Sequence, residues 1–281
     1  MSYLDRIAEC NDHRPGRFRP LFVGRAQLGR IRQDFVATLG RYPLVFQVSD
    51  GRVELHPALD TFDKRTRALE RVMRELAGEG LIKGWRDEPY PVGERFGAAP
   101  FLQLERAAMP FLGMTSYGVH MNGFVRDGGR IRMWVGRRAR NKPTFPGLLD
   151  NMVAGGQPIG LSLTENLIKE CAEEANIPRA LALRAHAVGA ISYCCDVPEG
   201  VKPDVQFCYD LELPADFVPE NTDGEIDEFY LWPIERVAEI VRETREFKFN
   251  CNLVIIDFLV RHGILPPEHE DYQDIVKGLH R

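Results

Sequence analysis

Residues 155–177 read GGQPIGLSLTENLIKECAEEANI. A Gly pair leads into a short loop and then into a helical stretch that carries Glu170, Glu173 and Glu174. On an α-helix, residues three and four apart are neighbours, and like charges at that spacing repel. Glu170 therefore shares a sector with Glu173 and Glu174, while Leu167, Ile168 and Cys171 turn toward a core. One account is a solvated acidic face, eased by Glu165 with Lys169 at i, i+4. The other is a seat for a hard divalent ion such as Mg²⁺, which takes oxygen ligands and completes its shell with waters and substrate phosphates.

The flanks of this stretch set its frame. Its helix starts near Ser162 or Thr164, and Pro178 ends it. Upstream, YGVHMNGFV and RIRMWVGRR are strand-like runs joined by RDGG, a hairpin signal. Downstream, HAVGAISYC and VQFCYDLEL predict two further strands, and EFYLWPIERVAEIVRETREF a short strand turning into a helix. NLVIIDFLVRHG predicts a last helix.

The first third of the chain is α/β in flavour. AQLGRIRQDFVATL places Leu28, Ile31, Phe35 and Leu39 on one helical stripe, which predicts a helix there. PLVFQVSDGRVELHP predicts two short strands around Asp50-Gly51. TFDKRTRALERVMRELAGEG spaces Leu69, Val72, Met73 and Leu76 as a helix that Gly78 or Gly80 stops. Nothing in this third has a catalytic pattern; it is expected to pack, shape a pocket or pair subunits.

With 281 residues, 44% hydrophobic and 27% charged, the chain has the composition of a soluble globular protein, and two domains are expected. A formal charge of -5 argues against a general nucleic-acid binder, though a local basic cluster can still grip a small phosphorylated molecule. No apolar run is long enough for a membrane helix, and the N-terminus lacks the apolar segment of a signal peptide. The six cysteines show no metal-ligand spacing and read as reduced thiols, so a cytoplasmic location is expected.

The opening stretch resembles the Nudix box, G-x5-E-x7-R-E-U-x-E-E-x-G-U with U aliphatic. Lys169-Glu170-Cys171-Ala172-Glu173-Glu174-Ala175-Asn176-Ile177 lies over R-E-U-x-E-E-x-G-U, and Gly155 over the leading Gly. The resemblance covers roughly residues 117–247. It implies an α/β (α+β) fold, a Nudix α/β/α sandwich with a mixed sheet. The expected division is an α+β accessory unit over 1–115, the Nudix unit over 116–247 and a helical extension over 248–281 packed on it. This sequence departs from the pattern in three places. Lys169 replaces Arg and Asn176 replaces Gly, and the first box Glu falls on Leu161, or on Ser162 if Gly156 leads. Lys keeps a charge near the acids without Arg's fork, and Asn can hold the left-handed conformation of a terminal Gly.

The resemblance implies hydrolysis of a diphosphate by divalent cations, Mg²⁺ or Mn²⁺, held by the box glutamates and a backbone carbonyl near the Gly pair. Glu170, Glu173 and Glu174 are the expected metal ligands and catalytic carboxylates, with the Gly155 carbonyl as backbone donor. A further carboxylate is expected from TDGEIDEFYLWPIE, Glu225 first and Glu228 second. GRRARNK puts Arg137, Arg138, Arg140 and Lys142 before the Gly pair, where basic side chains suit phosphate oxygens. Arg138, Arg140 and Lys142, with Gln157 just past the Gly pair, are the substrate-binding candidates. His120 is a candidate contact to the leaving moiety, with a hydrogen-bonded strand residue as the plainer account. Cys171 stands at an apolar position of the box, which predicts packing.

The segment from Tyr117 into the box, with GWRDEPYPV and LERAAMPFLG upstream, is similar to a narrower Nudix subgroup. That subgroup is the region fused ahead of thiamine pyrophosphokinase in some fungi, with stand-alone relatives in plants and bacteria. It implies cleavage of thiamine diphosphate, or of its damaged oxy- and oxo-forms, to the monophosphate and phosphate. Trp85, Phe145, Tyr193 and Trp232 are the aromatic candidates for stacking on such a ring. Two alternatives stay open: a nucleoside diphosphate derivative such as ADP-ribose or a dinucleotide, and a non-catalytic module that senses a phosphorylated ligand. A homodimer is a further possible assembly; nucleic acid and membrane are not expected partners.

Overall fold

The computed structural model describes residues 2–142 and 144–280. Buried residues between Leu21 and Met114 build one core. Strands β1 (Phe18–Val23), β2 (Ala26–Arg32), β3 (Phe46–Val48) and β4 (Val53–Leu55) form a four-stranded sheet in the order β2-β1-β4-β3. Helices α2 (Gln33–Leu39) and α3 (Phe62–Gly78) pack with it, and Leu69, Val72, Met73 and Leu76 on α3 are buried as their spacing requires. Thr61 caps α3 by accepting the Lys64 amide. A two-stranded ribbon, β5 (Pro89–Val92) with β6 (Leu102–Glu105), and the single-turn α4 (Met109–Leu112) complete this unit.

The helix expected over AQLGRIRQDFVATL is half strand. Ala26–Arg32 pairs antiparallel with β1, and only residues 33–39 are helical. Ala26 and Leu28 are buried around exposed Gln27, a period of two at that end of the segment. The matching i, i+3 spacing of Leu28 and Ile31 arises from an edge strand running into a helix, which local periodicity does not separate.

The second unit is a seven-stranded mixed sheet between helices. β7 (Ser116–Asp127), β8 (Arg130–Arg138), β11 (His186–Val197), β12 (Gly200–Glu212) and β13 (Ile226–Pro233) run in the order β11-β12-β7-β8-β13. Short β9 (Leu149–Asp150) pairs with β8, and β10 (Val153–Gly156) with the first half of β7. The β7–β12 pairing is parallel and its neighbours are antiparallel. On one face lie α5 (Leu163–Ala175) and α6 (Arg179–Ala182), with Leu167 and Cys171 against Val119, Met121 and Val153. On the other lie α7 (Ile234–Glu243), α8 (Cys251–Arg261) and α9 (Tyr272–Gly278), with Val237, Val254 and Phe258 against Phe124, Met133 and Ile191.

This is an α/β/α sandwich. Helix α1 (Tyr3–Cys10), although first in the chain, buries Tyr3, Ile7 and Cys10 in the second unit's core beside α8 and α9. No helix among the described residues is long and apolar enough to cross a membrane.

Candidate active site

Helix α5 begins at a capping box. The Ser162 hydroxyl accepts the Glu165 amide at 3.2 Å, and Glu165 accepts the Ser162 amide at 2.9 Å. One of the two positions for the absent box carboxylate thus holds the helix start. At the other end Asn176 sits at φ 51°, the left-handed turn that Asn tolerates, and its amide reaches Glu220 at 3.2 Å.

The Gly pair meets a different neighbour with each residue. A Cβ on Gly155 would collide with the Glu170 carboxyl group, and one on Gly156 with the Tyr90 hydroxyl. Side chains alternate across a strand, so Gly155 admits the α5 carboxylate while Gly156 admits a side chain from the first unit. Strand register also decides which backbone groups are free. The Gln157 amide donates to the Tyr117 carbonyl at 2.8 Å, so by antiparallel alternation Gly155 bonds into the β7 ladder. Ala154 and Gly156 then turn their polar groups to the open edge. The Ala154 amide donates to Glu174 Oε2 at 2.8 Å, and the Gly156 carbonyl accepts Asn166 Nδ2 at 2.8 Å. The carbonyl facing the acids is Ala154's, where the sequence pointed to Gly155's.

The three box carboxylates separate into two environments. Glu174 is 5% exposed, and beyond the Ala154 amide it has no hydrogen bond among the described residues. Burial, reinforced by Glu170, pushes its carboxyl well above the usual range. Burial also raises Glu170, against the pull of Lys169 at 3.3 Å. Glu173 lies further out and pairs with Lys169 at 2.6 Å. Cys171 is buried against the Met121 sulfur at 3.7 Å, its thiol pushed up to about 12 by burial, so it packs and does not attack.

Glu225 stands across the site in an ion pair with Lys142, and Arg86 of the first unit reaches it at 3.6 Å. Burial pushes the Glu225 carboxyl up, but Lys142 first, then Arg86 and Arg138, outweigh it and the net shift is down. Glu228 is exposed and accepts the Tyr230 hydroxyl. Arg138 is buried, donating to Asp150 at 2.7 Å and to the carbonyls of Thr144 and Phe145, so its fork is spent on the protein. Arg140 is exposed, its amide on Asp227. Gln157 is buried and donates to the Leu161 carbonyl at 2.7 Å, which ties the loop after β10. Of the substrate candidates, Lys142 and Gln157 lie at the site, Arg138 lies behind it, and Arg140 faces solvent.

Residues 2–116 match a family described as a domain of unknown function (DUF4743). Over 99% of its length the chain is 45% identical to the Arabidopsis thaliana protein "Nudix hydrolase 20, chloroplastic", covering 77% of that protein. It is equally 45% identical to "Nudix hydrolase 24, chloroplastic" of the same plant, again over 77% of it. The chain belongs to the Nudix hydrolases. It is also 35% identical to the Saccharomyces cerevisiae protein YJR142W, over 84% of this chain and 73% of that one.

Nudix hydrolases use a divalent cation, and the donor set at α5 and β10 fits one. Glu174 has no cation paired with it among the described residues, burial holds both Glu174 and Glu170 above the ordinary carboxylate range, and the Ala154 carbonyl turns to the same edge. A second group, His120, Asp150 and Cys251, has its potential ligand atoms within 4.8 Å of one another. Its electrostatics do not suit a dication. Asp150 is already paired with Arg138 at 2.7 Å and Lys248 at 3.5 Å and accepts the Cys251 thiol at 2.7 Å. His120 Nδ1 is taken by Asn151 at 2.8 Å, and burial lowers its pKa to about 4. This is a polar lock in the core of the Nudix unit, and His120 is the hydrogen-bonded strand residue of the plainer account.

Among the aromatic candidates, Tyr193 is buried and donates to Asp204, Trp232 stacks on Tyr230, Phe145 packs on Phe249, and Trp85 lies in the first unit beneath Arg74. The side chains beside Gln157 are instead Phe96 and Tyr117. Phe96 comes from a loop with no periodicity to announce it. Arg86, Glu88 and Tyr90 reach the Nudix site by the docking of the units, and only the motif GWRDEPYPV marked their neighbourhood in the sequence.

Proposed function

We propose that this Nudix hydrolase cleaves a diphosphate that carries a heteroaromatic group, with thiamine diphosphate and its oxy- and oxo-forms as the leading substrates and Mg²⁺ or Mn²⁺ as the ion. The observation that carries the hydrolytic reading is the pressing of Glu170 onto Gly155 beside buried Glu174, an arrangement that glycine alone permits. Against a module that only binds its ligand stands the crowding of like-charged carboxylates at this helical spacing. When bound, the cation screens phosphate charge and activates water.

The residues divide the remaining work. Glu170 and Glu174, with the Ala154 carbonyl, would hold the ion, and Glu173 can join them only by leaving Lys169. Lys142 and Arg86 set positive charge on the far side, where they attract phosphate oxygens and fix Glu225 as a carboxylate. Glu225 so held can take a proton from an attacking water. The thiamine assignment draws on the resemblance of the segments around Tyr117 and Trp85 to the thiamine-linked subgroup.

A panel of diphosphates incubated with Mg²⁺ or Mn²⁺, with products read by phosphorus NMR, tests the proposal. Thiamine-type diphosphates should yield the monophosphate and inorganic phosphate. Turnover of ADP-ribose or dinucleotides alone would move the substrate to the nucleoside class. Binding without turnover of any member would make the chain a ligand sensor.

A further inference from the structure

We infer that the cleft between the β5–β6 loop of the first unit and the loop after β10 holds the planar aromatic moiety of the substrate, so that the DUF4743 unit supplies the ring-binding wall of the Nudix site. This rests on the diphosphate reading above and deepens it.

The cleft has a volume of about 190 Å³ and is lined on one side by Pro91, Arg95, Phe96, Ala98 and Pro100, with the glycines between them, and on the other by Tyr117 and residues 157–161. That is below the roughly 300 Å³ at which pockets for whole drug-sized ligands begin, and it suits one ring system. Its wall is an aromatic cluster. Phe96 lies 5.0 Å from Tyr117 edge-on and 4.6 Å from Phe207, and Tyr117 and Phe207 are stacked at 6.3 Å. Phe96 and Leu161, on opposite sides of the cleft, are each 37% exposed, an apolar surface that neither unit covers. A ring slid between them gains burial and stacking together.

Position ties the cleft to the chemistry. On β7, Tyr117 and Val119 share a face, and Val119 is opposite Gly155, on which Glu170 packs. Phe207 on β12 packs on the same face. Gln157 is two residues from Gly155 along an extended strand, a separation of about 7 Å, which a diphosphate and a short linker can span. The units are fixed against one another at this place. The Ile159 amide donates to the Pro89 carbonyl at 3.0 Å, and the Tyr90 ring fills the space over Gly156. Buried Glu105 holds the approach rigid by accepting the amides of Arg86 at 3.1 Å and Glu88 at 2.9 Å.

A second observation points to a polar ligand edge. Gln157 is 1% exposed, and while its amide nitrogen donates to the loop carbonyls, its Oε1 finds no partner among the described residues. An acceptor so buried is rare without a donor. A ring bearing an amino or N–H group at the root of the cleft would supply it.

The test uses the full chain and two variants, Phe96→Ala and Phe96→Trp. Binding of thiamine monophosphate, AMP and methyl phosphate is measured by calorimetry with EDTA present, so that no turnover or metal is needed. Activity on thiamine diphosphate and on methyl diphosphate is measured alongside. Phe96→Ala should weaken binding of a ring-bearing monophosphate about tenfold. It should leave methyl phosphate binding and methyl diphosphate hydrolysis unchanged, and Phe96→Trp should restore ring binding. Equal losses for ring-bearing and ring-free ligands, or no loss for either ring, would overturn the inference. Failure of the wild type to hydrolyse any diphosphate would defeat the proposed function, and the binding arm would still read the cleft.

Discussion

The edge of β10 and the lock around Asp150 both bury carboxylates, and they treat them in opposite ways. Asp150 is surrounded by Arg138, Lys248, the Cys251 thiol and the Asn151 amide. Burial pushes its carboxyl up, but Lys248 and then Arg138 dominate, and the net shift is well below the usual range. Glu174 has one amide for a partner and Glu170 for a neighbour, and its shift is upward. A buried charge whose partners are all in the fold serves the fold. One whose balance is incomplete can be completed from outside, in the proposed reading by a cation and its phosphate. Proximity of donors alone points to His120, Asp150 and Cys251, whose ligand atoms lie within 4.8 Å of one another; the sign of the surrounding charge favours the α5 carboxylates instead.

The comparison is broken most forcefully at Asp150. Asp150→Ala leaves Arg138 and Lys248 facing each other without a counter-charge, and should destabilise the chain by about 3–5 kcal/mol in denaturant titrations. A loss below about 1 kcal/mol would show that the lock is not what holds β9 to α8. At the other region, Glu174→Gln keeps an acceptor for the Ala154 amide and should fold normally. Turnover should nonetheless fall by more than about a hundredfold, beyond the effect of changing a group outside a metal's coordination shell. Activity near that of the wild type would remove Glu174 from the site.

His120 sharpens the contrast through pH. Its pKa is depressed from 6.5 to about 4, chiefly by burial, so across that window the unfolded chain binds the proton and the native one does not. Its contribution is fully present above pH 6.5 and is lost as pH falls toward 4, by about 1.4 kcal/mol per pH unit. Denaturant midpoints at pH 7 and pH 5 should show a smaller drop for His120→Gln than for the wild type; equal drops would mean that His120 is not buried neutral. The smallest effect is at the start of α5, where Ser162→Ala should cost about 1 kcal/mol of stability with turnover retained. A larger loss of turnover than of stability would give Ser162 a part in the chemistry.

Much of the Nudix unit was legible because its signals are local. The helix start near Ser162, the left-handed Asn176, the hairpin turn before Arg130 and the apolar spacing of Leu167 and Cys171 each rest on signals within a few residues. The parts that escaped depend on distant pairing. Ala26–Arg32 became a strand because β1 lies beside it. The free carbonyl passed from Gly155 to Ala154 because strand register, fixed by β7, turns alternate groups outward. Arg138 looked like a phosphate ligand until Asp150, Thr144 and Phe145 closed around it. The aromatic wall is assembled from Phe96, Tyr117 and Phe207, which no window of sequence contains together.

The most direct test is Mn²⁺ binding by calorimetry to the full chain and to two variants, Glu174→Gln and Cys251→Ala. The charge balance at the two regions predicts that Glu174→Gln abolishes the binding seen in the wild type while Cys251→Ala preserves it. Retention in Glu174→Gln with loss in Cys251→Ala would place the ion in the lock around Asp150 and contradict the assignment of the α5 carboxylates.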